Sequence, residues 1–188
     1  MLELATLGLL QREPLHGYRL KQQLELFMSG CISVNYGAIY PLLKRLEERG
    51  AISVLVEEEG DAGSLRKIYS ITDRGRERWM HKMMEYPHES WVNARSRFTI
   101  KFFFFGHLEP EKRIKLLEHR LMVCRLRLES QEREPLPAEP YQAEVWHRCM
   151  AVIQSEIEWL NERLACERTE PSVGSSGQSQ IGTGIVAT

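Results

Sequence analysis

The chain has 188 residues, with 25 lysines and arginines against 26 aspartates and glutamates, for a formal charge of −1. That length holds one ordinary domain plus an appendage. The charge balance excludes a polybasic protein that grips nucleic acid through excess charge, so any phosphate contact must come from where the cations are placed. No apolar run approaches a bilayer span, and Phe102–Phe105 is far too short for one.

Leu2 to Leu10 reads as a compact apolar helix, without the basic stretch ahead of it that opens a secretory signal. Pro14-Leu15-His16-Gly17-Tyr18 breaks the chain, and a second helix is expected from Arg19 to Met28, with Leu20, Leu24, Phe27 and Met28 at helical spacing. Gly30-Cys31-Ile32-Ser33 is a connector, and Ser33 or Asn35 can cap the helix that follows. That third helix is two-sided. Ile39, Leu42, Leu43 and Leu46 form one apolar stripe, and Tyr36, Tyr40 and Lys44 form a second, roughly 110° round from it. Such a helix either presents its tyrosines to a partner or is an ordinary surface helix with tyrosines partly buried. Pro41 clashes with a carbonyl four residues back, at Gly37, so a mild irregularity is expected there.

Ile52 to Glu58 is rich in β-branched residues and reads as a strand, 60–64 as a turn, and Arg66 to Thr72 as a second strand. On the second strand Lys67, Tyr69 and Ile71 share one face. Arg66 and Lys67 suit either phosphate contact or protection of a sheet edge. The turn itself is acidic (Glu57, Glu58, Glu59, Asp61), which places any phosphate contact at the base of the strand. Thr72-Asp73 can cap a further helix running through Trp79 and Met83. A hairpin directly after a candidate recognition helix is winged-helix architecture.

The second half reads as helical: Asn93 to Phe105, a long helix opened by Pro110 and closed by Pro135, and another from Tyr141 to Arg168. In the first long helix Ile114, Leu117, Leu121, Cys124 and Leu128 recur every three or four residues. In the second, Trp146, Cys149, Ile153, Ile157, Leu160 and Leu164 make a near-heptad stripe. A small winged helix cannot cover both helices, so they pack either against a second subunit, which this reading favours, or as a bundle within one chain. Residues 171–188 hold no charged side chain and are expected to form a disordered tail.

Cys31, Cys124, Cys149 and Cys166 are scattered without a C-x-x-C pair, which fits reduced thiols in a cytoplasmic protein better than disulfides or zinc. His16, His81, His88, His107, His119 and His147 fall in separate segments without metalloprotease spacing. No G-x-S-x-G, P-loop or G-x-G-x-x-G occurs, so no enzyme, cofactor or metal is expected.

Three stretches taken together carry a resemblance: His16-Gly17-Tyr18, Tyr36 through Glu47 (Tyr-Gly-Ala-Ile-Tyr-Pro-Leu-Leu-Lys-Arg-Leu-Glu), and Arg66 through Gly75 (Arg-Lys-Ile-Tyr-Ser-Ile-Thr-Asp-Arg-Gly). In order and spacing they resemble the signatures of PadR-type transcriptional regulators, over roughly the first 85 residues. Arg19 departs from the pattern, since the family commonly has an acidic residue after the tyrosine. The resemblance implies a mainly α protein: a winged helix-turn-helix domain (1–86), a long-helix dimerisation domain (87–170) and the tail. It implies a homodimer, a repressor or sometimes an activator, on double-stranded operator DNA. Some members release DNA on binding a small molecule, typically a phenolic acid. The residues expected at DNA are Tyr18, Arg19, Lys21, Asn35, Tyr36, Tyr40, Lys44, Arg66 and Lys67. Trp91, Phe98, Phe102 and Phe105 are read as interdomain core, with an aromatic effector pocket as the sharper alternative.

Counted by halves, residues 1–85 carry 12 cations and 12 anions, and 86–170 carry 13 and 14. Neither half is basic. Binding on this reading depends on Arg19, Lys21, Lys44, Arg66 and Lys67 converging on one face, with a dimer to double the contacts.

Overall fold

A computed structural model of the protein describes residues 1–28, 36–59 and 65–169. The connector at Gly30–Ser33, the proposed caps Ser33 and Asn35, the tip of the hairpin and the tail lie outside the described residues. Seven helices and three strands are described: α1 (Leu2–Leu9), β1 (Leu15–His16), α2 (Gly17–Met28), α3 (Ile39–Glu48), β2 (Ile52–Glu59), β3 (Leu65–Ile71), α4 (Asp73–Met84), α5 (Trp91–Phe103), α6 (Pro110–Glu132) and α7 (Pro140–Thr169). Contacts divide the chain into two compact units, Met1–Lys112 and Arg113–Thr188. The boundary expected at 86 falls between α4 and α5; the contacts instead place α5 in the first unit.

In the first unit α1 is buried on every side from Leu4 to Leu9. Its one hydroxyl, on Thr6, donates back to the Leu2 carbonyl at 2.9 Å, which removes the cost of burying an unsatisfied polar group. A 3-10 turn at Tyr36–Ala38 leads into α3. Pro41 therefore lies in the first turn of α3, where its missing N–H leaves no gap in the ladder, and the expected irregularity takes this form. Ile39, Leu42, Leu43 and Leu46 are all buried, as their spacing predicts.

The end of α3 is a Schellman motif. Gly50 adopts φ of 66°, and its N–H donates to Glu47 while that of Ala51 donates to Leu46, both at 2.9 Å. Helix α4 is built onto this turn. The Thr72 hydroxyl donates to the Gly50 carbonyl at 2.6 Å and accepts from the Gly75 N–H at 3.1 Å. The expected cap at Thr72 thus also ties α4 to the turn before β2.

The sheet has the order β1-β3-β2, antiparallel throughout. At β1 the sequence shows only a break between helices, because two residues carry no periodicity. The strand exists through its register with β3, Leu15 opposite Tyr69 and His16 opposite Ile68.

Rings and charges fasten helix α5 to the end of α4, and α4 in turn to α1. Phe104, just after it, is buried and meets Trp79 of α4 edge-on at 6.3 Å. Arg97 forks onto Glu89 at 2.6 and 3.2 Å and also reaches Glu85 at 3.3 Å, while Arg78 of α4 pairs with Glu3 of α1. Lys101 is buried; its Nζ donates to the Glu85 carbonyl at 2.6 Å and lies 5.1 Å from the centre of the Tyr86 ring.

Burial first, and the Arg97 guanidinium second, bring the Lys101 ammonium down from 10.5 to about 8, against the opposing pull of Glu85 and Glu89. Between those two values the unfolded chain holds more protons than the folded one, so stability rises with pH across that window. Below it both states are charged and the full penalty is present. The unfolding free energy of the native protein minus that of Lys101→Met should therefore be level below about pH 7 and climb from about 8 to 10.5. Urea titrations at stepped pH measure this difference, and a flat profile would show that the amine does not enter the core as an ammonium.

The second unit contains most of α6 and all of α7, running antiparallel. Arg113 pairs with Glu167 at 2.8 Å, Arg120 with Glu156 at 2.8 Å, and Glu118 with Arg168 at 2.6 Å. Leu116, Leu117, Leu121 and Cys124 of α6 are buried, as are Met150, Ile153, Leu160 and Leu164 of α7. One position of the expected stripe faces out of the single chain. Cys149 is exposed, and Met150, about 100° further round, takes the inward place. Trp146, Met150, Ile153, Ile157, Leu160 and Leu164 then alternate four and three residues apart, with Trp146 and Ile157 half-buried. Among the described residues no helix is long and apolar enough to cross a membrane.

Candidate nucleic-acid interface

The paired strands draw the start of α2 onto β3, because Gly17 follows directly from β1. Tyr18, the second residue of α2, is 67% exposed, and Arg19 beside it is also exposed. On α3 the apolar stripe faces inward, so Tyr40 is left 53% exposed and the Lys44 side chain 77% exposed. The starts of the two helices touch: a methyl group on Gly17 would lie 3.2 Å from Cε1 of the Tyr40 ring. Tyr18, Arg19, Tyr40 and Lys44 are thus the most exposed of the expected residues whose side chains are described, with Lys21 and Lys67 partly exposed beside their acids. Asn35, and the side chains of Tyr36 and Arg66, lie outside the described residues.

The lysines of this region sit beside acids. Lys21 is 3.6 Å from Glu25, Lys44 is 4.0 Å from Glu48, and Lys67 is 4.0 Å from Glu47 of α3. Lys67 shares its strand face with buried Tyr69 and Ile71, and its side chain is half-exposed at the rim of the core. Exposed pairs of this kind are worth at most about 1 kcal/mol, so a phosphate can displace the carboxylate at little cost. Sequence reasoning misses the part Gly17 plays here, although a glycine flanked by tyrosine in a short motif is a usable signal.

Phe98, Phe102 and Phe105 pack ring on ring at 4.8 to 6.4 Å, with Phe98 and Phe105 buried, as core residues do. A separate cleft of about 370 Å³ is lined by Leu9, Arg12, Phe103, Phe104 and His107, among others, and by none of those three rings nor by Trp91. Burial, then the guanidiniums of Arg12 and Arg76, hold His107 below the usual histidine range. No group of three or more His, Cys, Asp or Glu suited to a metal occurs among the described residues.

A three-helix core with a small antiparallel sheet, and a helix whose outer face stays exposed beside the hairpin, defines a winged-helix domain of the class that reads DNA. This domain belongs to the transcriptional regulator PadR-like family, whose model matches residues 6–81. Residues 6–81 are accordingly a PadR-like domain. Over 147 residues it is 26% identical to the negative transcriptional regulator PadR of Bacillus subtilis (strain 168), covering 74% of this chain and 78% of that protein. It is 32% identical over 84 residues to the transcriptional regulator YqjI of Escherichia coli (strain K12), covering 45% of this chain but only 38% of YqjI. Among solved structures it is similar to Bacillus subtilis PadR in complex with operator DNA, at a TM-score of 0.43 and 22% identity, over 88% of this chain and 97% of that one.

Proposed function

We propose that this protein is a cytoplasmic repressor that binds a palindromic operator as a homodimer. The observation that carries the reading is that Tyr18, Arg19, Tyr40 and Lys44 are exposed at the starts of two helices that meet at Gly17, in a PadR-like domain. In this reading α3 enters the major groove. Tyr36 and Tyr40 meet the backbone or thymine methyls, and Asn35 reaches a base edge or phosphate. Tyr18 and Lys44 hold phosphates, Arg19 and Lys21 add charge beside them, and Arg66 and Lys67 hold the flanking backbone. Repression follows the name of the Bacillus subtilis relative, a negative regulator.

Support for a homodimer comes from the second unit, where large apolar side chains stay exposed: Met122 and Leu126 on α6, and Tyr141 and Val145 on α7. Trp146, Cys149, Ile153, Ile157, Leu160 and Leu164 remain the proposed dimer contacts on α7, of which Cys149 faces out from the single chain and Ile153, Leu160 and Leu164 are already covered within it. The effector arm of the reading rests on the cleft at Phe103 and Phe104, where Arg12 offers a cation to an aromatic carboxylate.

Tyr40→Ala combined with Lys44→Ala should abolish operator binding in a mobility-shift assay while the melting temperature is retained. Lys44→Ala alone, which removes one phosphate contact from each protomer, should lower the salt slope of dimer binding by about two units. Undiminished binding by the double variant would overturn the assignment. A second reading, a winged-helix module that binds protein instead of DNA, is favoured by the glutamate beside each of Lys21, Lys44 and Lys67. Absence of any shift with the gene's own upstream DNA, even in low salt, would select it.

A further inference from the structure

We infer that Gly17 is a positioning residue for Tyr40, its missing side chain being the slot that sets where the tyrosine ring stands on the DNA-facing surface. The inference rests on the DNA-binding reading above and deepens it. A methyl group at Gly17 would lie 3.2 Å from Cε1 of Tyr40, 3.4 Å from Cε2 of Tyr69 and 3.8 Å from Cδ1 of Leu43. Three elements therefore converge on this one glycine: the start of α2 that carries it, α3 through Tyr40 and Leu43, and β3 through Tyr69.

The three neighbours differ in their freedom to move. Leu43 is fully buried and Tyr69 is 8% exposed, so both are held by the core. Tyr40, half in solvent, makes the tightest contact and is the one that can yield. The backbone of Gly17 is not in the left-handed region, since Gly50 is the positive-φ glycine among the described residues. Alanine at 17 therefore meets no backbone strain, and within α2 it is a better helix former than glycine. Its consequence falls on the Tyr40 ring, pushed outward by a few tenths of an ångström, and not on the fold. A glycine required only for stability would behave in the opposite way.

The test uses the full-length protein labelled with fluorotyrosine, with the Tyr40 and Tyr69 signals assigned through Tyr40→Phe and Tyr69→Phe. In Gly17→Ala the fluorine resonance of Tyr40 should shift clearly and that of Tyr69 little, with an equal or higher melting temperature. Operator affinity in low salt should fall about three- to tenfold, a partial loss of one groove contact. In the Tyr40→Ala background the same substitution should change affinity less than about twofold, since the ring it displaces is gone. An unmoved Tyr40 resonance, or equal losses in both backgrounds, would overturn the inference. A shifted resonance in a protein whose native form binds no operator would sustain the slot and sink the DNA-binding reading instead.

Discussion

Arg120→Leu should cost the C-terminal unit roughly 3–5 kcal/mol, while replacing Arg120 and Glu156 together by methionine and leucine should cost little or even stabilise it. The two side chains face each other across the α6–α7 hairpin, 4% and 9% exposed, with Nη2 of Arg120 2.8 Å from Oε1 of Glu156 and Nε donating to the same oxygen at 2.8 Å. Removing the guanidinium alone takes from the Glu156 carboxylate the cation that pairs with it at 2.8 Å, and the desolvation of that charge is then less compensated. Removing both charges discards the desolvation along with the attraction. Around this pair the hairpin is held by leucine, isoleucine and methionine, and such contacts tolerate a slip of one heptad. An ion pair does not, so Arg120 and Glu156, with Arg113–Glu167 and Glu118–Arg168, favour one register of α6 against α7. Urea unfolding followed by helix content, at one fixed protein concentration, measures both variants. A single-variant loss below about 1 kcal/mol would mean the pair is worth no more than an exposed one.

Phe104→Ala should destabilise the N-terminal unit by about 3–5 kcal/mol. The ring is 3% exposed and meets Trp79 edge-on at 6.3 Å and Phe103 at 5.0 Å. Its tip also sits so close to α1 that a methyl group at Gly8 would fall 2.6 Å from Cζ and Cε2. Truncation leaves a cavity bounded by helix backbone, which cannot collapse into it as side chains could. Gly8→Ala is the mirror experiment: it overfills the same contact and should cost about 1–3 kcal/mol. Hydrogen exchange of the α1 amides reports on this contact directly, because the ring covers the helix backbone at Gly8. Unchanged protection of α1 in Phe104→Ala would show that the ring does not seal the α1 backbone.

The proposed recognition surface is partly legible in the sequence because its signals are local. The stripe of Ile39, Leu42, Leu43 and Leu46 repeats with the turn of a helix, so burying it turns Tyr40 and Lys44 outward. Thr72 is legible as a cap because a hydroxyl three residues before Gly75 is placed to accept its N–H. The Gly17 slot is not, because it exists only where α2, α3 and β3 meet. Cys149 and Met150 are both acceptable on an apolar stripe, and a run read over a few residues does not separate phases about 100° apart. Only the facing helix does so.

By itself the amino-acid sequence determined the helices, the hairpin and the three motifs of the PadR-like domain, since backbone geometry writes a period of 3.6 or 2 directly into the order of apolar residues. Tertiary structure alone decided that a two-residue strand forms at Leu15, that α5 joins the first unit, and that Lys101 is buried. Each of these depends on which distant group arrives to cover a surface or accept a hydrogen bond. Leu15 needs Tyr69, Phe104 needs Gly8, and Lys101 needs the Glu85 carbonyl, none of which is near it in the chain.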